Sequence, residues 1–516
     1  METNSFGWQG VAGGGGGGGS CNAVILLGSG SGSSYRCGNG NNSAGDYSTV
    51  SGGYNNTAIA YSDTISGGEC NEAGLGGINP YNSIGGGYCN IAFGGYSTIG
   101  GGGLNSASNY ATIGGGYSNI ASGNVSVIGG GRNNTASNTY STISGGYGNT
   151  ASFKNATVSG GYLNTASLYA STVGGGKCNT ASAYYSTVSG GYCNIASSSS
   201  ATVSGGFLNL AGGQSSTVGG GESNTASGYR SVIGGGKLNS ASNGYSTISG
   251  GYNNTASAYY STVSGGYGNT ASGSQSTVGG GTSNSASGYY STISGGQCNI
   301  ASAQASTIGG GTENSASCCH STIGGGNKNT VSACYSTISG GRNNTASATY
   351  GNVSGGYRAL SYNYGQDSFA SGSFANQGDA QYSTVVLRGQ TKNIPNGSNV
   401  PLYLDGLALN FSSSTASTNR AYNVVVEWIA ISLGAGVVAG NVATRSDTFF
   451  FKNLAGITTL SPITTGAIIA DAPMATSTMK YSTVAPNLIL NFTTPVGYQG
   501  NSGFKIVARV MLVEVG

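Results

Sequence analysis

A chain of 516 residues with 98 glycines, 7 prolines, 6% charged side chains and a net charge of +3 is not an ordinary helical domain, which needs far more Leu, Glu, Lys and Ala. The glycines do not recur at every third position, which excludes collagen, and the many Val, Ile and Tyr residues argue against a disordered polypeptide. Sparse, evenly spread charge gives no electrostatic basis for binding nucleic acid or an anionic membrane, and no run approaches the roughly 20 apolar residues of a membrane span.

Residues 1–20, METNSFGWQGVAGGGGGGGS, read as a short peptide followed by a seven-glycine tether from Gly13 to Gly19. With Phe6 and Trp8 the peptide is a candidate docking segment, and a disordered tail is the alternative. It lacks the basic start and apolar core of a secretory signal, so assembly in a cytoplasm is expected. Residues 21–47 read as an irregular cap.

From Ser48 the motif S-T-V/I-S/G-G-G-x-x-N-T-A-S-x-x-x recurs in 21 copies. They begin at Ser48, Asp63, Asn82, Ser97, Ala111 and Ser126, then at intervals of fifteen from Ser141 to Gly351. The second copy is four residues longer, through Asn79 and Pro80, and the fourth is one shorter. Position three is Val or Ile, as in Val263, Val278 and Ile293. Position eleven is Ala, as in Ala256 and Ala271, with Val331 and Ser361 the exceptions. A large side chain from one strand then faces a small one opposite. Glycines five and six, such as Gly250 and Gly251, allow positive φ and close backbone approach. Asn at position nine, such as Asn254 and Asn269, tolerates the left-handed region and can bond along a stack. One copy buries nothing alone, so neighbours must stack into a β-solenoid over residues 48–365, and the thin core favours a homotrimer.

The ten cysteines follow the repeat. Cys70 and Cys89 hold position eight of successive copies, as do Cys178 and Cys193, while Cys319 and Cys334 hold position fourteen. Strand spacing lies within the Cα range of a disulfide, so rung-to-rung bonds are one reading. Free thiols are the other, because parallel side chains in a stack point poorly for bonding. Cys318, Cys319, His320 and Cys334 match no zinc spacing, and neither a metal nor a cofactor is expected. Tyrosines recur at position seven (Tyr54, Tyr147, Tyr162, Tyr192) and at positions fourteen and fifteen (Tyr184, Tyr185, Tyr259, Tyr260). Such rows suit sugar binding or contacts between chains. With 14 acidic residues and one histidine, and with Glu69 and Glu72 read as charges at the inserted loop, no catalytic residues are expected and the chain reads as non-enzymatic.

After Tyr364 glycine thins and strand-like runs follow, among them TVVLRG (384–389), NVVVEWIAISL (423–433), NLILNFTT (487–494) and FKIVARVMLVEV (504–515). Their spacing predicts a β-sandwich or jelly-roll domain over residues 366–516.

The segment STISGGYNNTASAYYSTVSGGYGNTASG resembles the head repeats of YadA-type trimeric autotransporter adhesins. That resemblance implies a trimeric, left-handed parallel β-roll over roughly residues 48–365. Each copy here is one residue longer than is usual in that family, and no coiled-coil stalk or membrane anchor accompanies the repeats. The segments GQDSFASGSFANQGDAQYSTVVLRGQT, LYLDGL and KIVARVMLVEVG resemble a C-terminal domain of phage tail and large-virus structural proteins. The resemblance implies a virion-surface fibre with its N-terminus toward the particle. The C-terminal domain would be a trimerising knob that binds a host receptor such as a glycan, and attachment would come from multivalent binding. The alternatives are a self-polymerising structural filament, an ice-binding solenoid, and a glycan-cleaving tailspike.

Overall fold

The computed structural model describes residues 25–36, 40–75, 79–373, 377–378, 380–394, 399–402, 420–432, 442–454, 457–460, 464–465, 469–470, 478–484, 487–493 and 502–515. The docking peptide and tether expected over residues 1–20 lie outside them. The chain divides into two compact units, Met1–Asn253 and Asn254–Gly516. All regular structure among the described residues is β.

In the first unit each copy forms one rung with two strands of two residues. Thr-Val or Thr-Ile at positions two and three pairs in parallel with its counterpart fifteen residues on, as in Thr142↔Thr157 and Ile143↔Val158. Thr-Ala at positions ten and eleven does the same, as in Thr150↔Thr165 and Ala151↔Ala166. Position seven makes a third, single-residue ladder, for example Tyr147↔Tyr162. The rungs of the second unit repeat this arrangement. In a strand this short one residue points in and one out, so the alternation alone sets the register. Val263, Val278, Ile293 and Ala271 are fully buried, as the pairing of one large and one small side chain requires.

The corners differ from expectation. Left-handed backbone falls at positions eight and fifteen, as in Asn253 (φ 55°) and Tyr260 (φ 56°), and not at the position-nine asparagines. Gly251 has a φ of 91°, and at its equivalent Gly161 a Cβ would stand 2.2 Å from the Gly176 carbonyl oxygen. Glycine is therefore obligatory at position six. Gly250 meets no such obstacle: a Cβ there would face open space.

Position nine instead carries a buried amide ladder. The Asn164 carboxamide oxygen accepts the Asn179 backbone N–H at 2.9 Å, while its Nδ2 donates to the Gly160 and Gly176 carbonyls, each at 2.9 Å. In the second unit Asn254 and Asn269 do the same: Asn269 N–H donates to Asn254 Oδ1 at 2.9 Å, and Asn269 Nδ2 donates to Gly265 and Gly281. The position-five carbonyl held by this amide explains the fixed Gly-Gly-x-x-Asn spacing. A fully satisfied polar column of this kind can sit beside the Val/Ala core without an unpaired group.

Both ends of the rung pattern are closed. At the start, within residues expected to be an irregular cap, the strands Ser34–Arg36 and Asn42–Ser43 pair in parallel with Thr49–Val50 and Thr57–Ala58 as one more rung would. Asn41 of this rung begins the amide ladder by accepting from the Asn56 N–H at 3.0 Å. The strand Ile25–Leu27 then covers Ser34–Arg36 in antiparallel fashion. In the second unit, Asp367–Ala370 pairs in parallel with Asn352–Gly356, and the strand Gln381–Ile394 covers it antiparallel.

Gln381–Ile394 leads into an antiparallel sheet with Ser502–Val515, Arg420–Ser432 and Val442–Leu454. A second sheet joins Asn399–Pro401, Asn487–Thr493 and Thr478–Val484. Val385, Val424, Val426, Trp428 and Val510 from the first sheet share a buried core with Met479 and Phe492 from the second. Tyr481 donates a 2.5 Å hydrogen bond to Asp447, which also pairs with Arg445 at 2.8 Å. Burial, and then this bond to an anion, push the Tyr481 hydroxyl well above its usual range.

Candidate functional site on the exposed edges

With Val, Ala and Asn turned inward, chemistry on the rungs is left to the edges and corners. At the corner of positions fourteen and fifteen a row of rings runs Tyr47, Tyr61, Tyr81, Tyr96, Tyr110, with centroid separations of 5.4, 5.6, 4.9 and 5.0 Å. In the second unit His320, Tyr335, Tyr350 and Tyr364 form a similar row at 5.1, 5.3 and 5.2 Å. Tyr81, Tyr96, Tyr110, Tyr335 and Tyr350 all adopt positive φ, a conformation that costs a bulky residue on the order of 1–2 kcal/mol. Ring stacking returns about 0.5–1.5 kcal/mol per pair, which is enough to offset much of that strain. The rings thus pack within the chain while remaining about half exposed.

Position seven carries the second aromatic row. Tyr147 stacks on Tyr162 and Tyr192 on Phe207, both at 5.2 Å. Lys177 sits between the two pairs, its ammonium 5.4 Å from the Tyr162 and Tyr192 centroids. Arg132 lies over Tyr117 at 5.3 Å.

Glu69 and Glu72 are not charges of the inserted loop. Glu69 bridges Tyr54 and Tyr88 on the position-seven edge, whereas Glu72 pairs with Thr57 and Ile91 in the Thr-Ala ladder. The extra residues follow Gly74, between that strand and Ser83–Ile84.

Among the described residues one disulfide joins successive rungs, and it links Cys318 to Cys334 across a Cα separation of 4.8 Å, not Cys319 to Cys334. Residues in register point the same way, and an offset of one position lets the two thiols converge. Cys319 is a free thiol, as are Cys70, Cys89, Cys178 and Cys193. Burial and a hydrogen bond with Cys89 push the Cys70 thiol up, and burial and Cys178 do the same to Cys193. No cluster of three or more His, Cys, Asp or Glu side chains suited to a metal occurs among the described residues.

No protein-family model matches this sequence, and no curated protein does. Among solved structures, the tailspike protein of Acinetobacter baumannii phage AM24 is 8% identical, with 91% of this chain and 78% of that one covered at a TM-score of 0.18. The tailspike protein of Acinetobacter phage vB_ApiP_P1 is 10% identical, with 81% and 82% covered and a TM-score of 0.20. Tailspike protein gp49 of Acinetobacter baumannii bacteriophage Fri1, described as a capsular polysaccharide depolymerase, is 7% identical, with 84% and 79% covered and a TM-score of 0.19. Likenesses this weak carry no argument about the chemistry of the present chain. The non-enzymatic expectation is withdrawn as a correction, since one of the matched structures is described as a capsular polysaccharide depolymerase.

Proposed function

We propose that this chain is a virion-surface fibre of the phage tail fibre kind that attaches the particle to a host surface through many repeated contacts. The observation that supports it is the repetition of exposed aromatic rings at rung spacing along two edges of the solenoid. A single ring contact is weak, but identical contacts on successive rungs add through effective concentration. Three parallel chains in a left-handed roll of the adhesin-head kind would triple the rows, and residues 366–516 would form the trimerising, receptor-binding knob. Residues 1–20 would dock the fibre on the particle. The covered sheet edges at Ile25–Leu27 and Gln381–Ile394 favour a fibre of set length over a filament growing from open rungs.

Purified full-length protein applied to a glycan array and to intact host cells tests this reading. Saturable retention that weakens when Tyr81, Tyr96 and Tyr110 are replaced together by serine is expected. Absence of retention on any host surface, with trimeric and folded protein, would reject it. The same incubations read for new reducing ends separate attachment alone from attachment with cleavage.

A further inference from the structure

Acidic residues are absent from a long central stretch: no Asp or Glu occurs between Glu72 and Glu222, whereas Arg132, Lys154 and Lys177 do. Within that stretch the position-seven ladder brings Tyr117, Arg132, Tyr147, Tyr162, Lys177, Tyr192 and Phe207 onto one edge, each bridged to the next. Their side chains interlock as cation and ring: Arg132 over Tyr117, Tyr162 against Tyr147, Lys177 between Tyr162 and Tyr192, and Phe207 against Tyr192. Tyr117, Tyr147, Tyr162, Tyr192 and Phe207 are exposed. Beyond this strip the same edge changes character. Glu222 follows Phe207 and is neutralised by Lys237 at 2.9 Å, and Glu69 stands on the other side.

The strip therefore carries two cations and several phenol hydroxyls and no acid of its own, with Glu69 three ladder steps before Tyr117. A compact ligand would use one or two rungs of it; a chain of rings carrying regularly spaced carboxylates would use all of them. The Lys177 ammonium is held in place by its two neighbouring rings, so its remaining donors are already oriented for an anion. Phenol hydroxyls at strand spacing supply donors and acceptors for sugar hydroxyls along the same line.

We propose that the position-seven edge from Tyr117 to Phe207 binds a carboxylate-bearing polysaccharide laid along the rungs. This rests on the attachment reading and names the class of glycan that one edge of the shaft would take. Polygalacturonate serves as the probe, with its methyl-esterified form as the uncharged counterpart and single-stranded DNA as a polyanion without sugar rings exposed in the same way. Full-length protein should retain polygalacturonate, with retention falling as salt rises. Replacing Arg132 and Lys177 together by glutamine should weaken binding by roughly tenfold, the loss of two oriented charge contacts. Lys154→Gln, which lies off the position-seven ladder, should leave it unchanged, and circular dichroism should show all variants folded. Equal binding of the esterified polymer, equal binding of DNA, or insensitivity to the double substitution would each overturn the proposal. Host-cell retention that survives the double substitution would leave attachment standing while this inference fails.

Discussion

Each asparagine of the buried ladder bonds three backbone groups, one of which, the next-rung glycine carbonyl, also accepts a backbone N–H, as Gly176 does from Tyr162. Asn164 satisfies the Gly160 and Gly176 carbonyls and the Asn179 N–H, and it is fully buried. Asn164→Ala should therefore cost on the order of 3 kcal/mol, because the Gly160 carbonyl and the Asn179 N–H both lose their partner in a buried place. Hydrogen exchange read rung by rung should show lost protection centred on residues 160–179. Asp63 is the converse case, a carboxylate at position one where most rungs place serine. Burial raises its pKa above the ordinary 3.8, although hydrogen bonds from the Asn82 and Ala60 N–H groups and from the Asn82 amide pull it down. The folded state then binds the proton more tightly than the unfolded one, so its cost is absent at low pH and grows as pH rises from the unfolded value through the folded one. Asp63→Ser should flatten that part of the stability–pH curve, as thermal midpoints across acid pH would show.

At the scale of elements, the last rung is finished by side chains that take the place of a further strand. Gln381 accepts from the Leu360 N–H at 2.8 Å and donates to the Leu360 carbonyl at 2.9 Å, as a backbone peptide group would. Gln377 donates to the Asn343 and Ala359 carbonyls at 2.9 and 3.0 Å, and the Gly378 N–H donates to the Arg358 carbonyl at 2.9 Å. The amide ladder ends beside them: Asn344 accepts from the Ala359 N–H, and Ala359 is the one copy without asparagine at position nine. An open parallel edge is a template for pairing with another chain. Replacing Gln377 and Gln381 together by alanine should therefore fray residues 357–361 in hydrogen exchange and produce end-to-end association in sedimentation velocity. Unchanged sedimentation with lost protection would mean that the antiparallel strand Gln381–Ile394 suffices as the barrier.

For the whole molecule, the repeated rung makes stability close to a sum of nearest-neighbour terms. Excising one complete rung, residues 156–170, should leave the far-ultraviolet spectrum and the thermal midpoint nearly unchanged. Removing only residues 156–162 should lower the thermal midpoint and split the unfolding transition, because the Thr157–Val158 strand between Thr142–Ile143 and Thr172–Val173 is lost while Thr165–Ala166 remains. The contrast between the two deletions is checked by calorimetry.

The period of fifteen and the inward Val/Ile and Ala columns were legible in the sequence because they depend on residue identity at fixed spacing, which local periodicity records. The rung strands Ser34–Arg36 and Asn42–Ser43 escaped that reading, since Tyr35 stands where Val or Ile recurs and Ser43 where Ala does. Pairing with the next rung, not composition, makes them a rung. The role of the asparagines was half legible: their bonding along the stack could be anticipated, but their backbone is not left-handed, and that conformation passes to positions eight and fifteen. Which cysteines meet depended on side-chain direction at a corner, so Cys318 and not Cys319 joins Cys334. Likewise the glutamines that seal the last rung lie 18 to 34 residues along the chain from the groups they satisfy, and no local pattern announces such partners. The sequence by itself determined the repeating unit, because each rung needs only its neighbours. Tertiary structure alone decided the corners, the crosslink and the ends, where the repeat stops and partners must come from elsewhere in the chain.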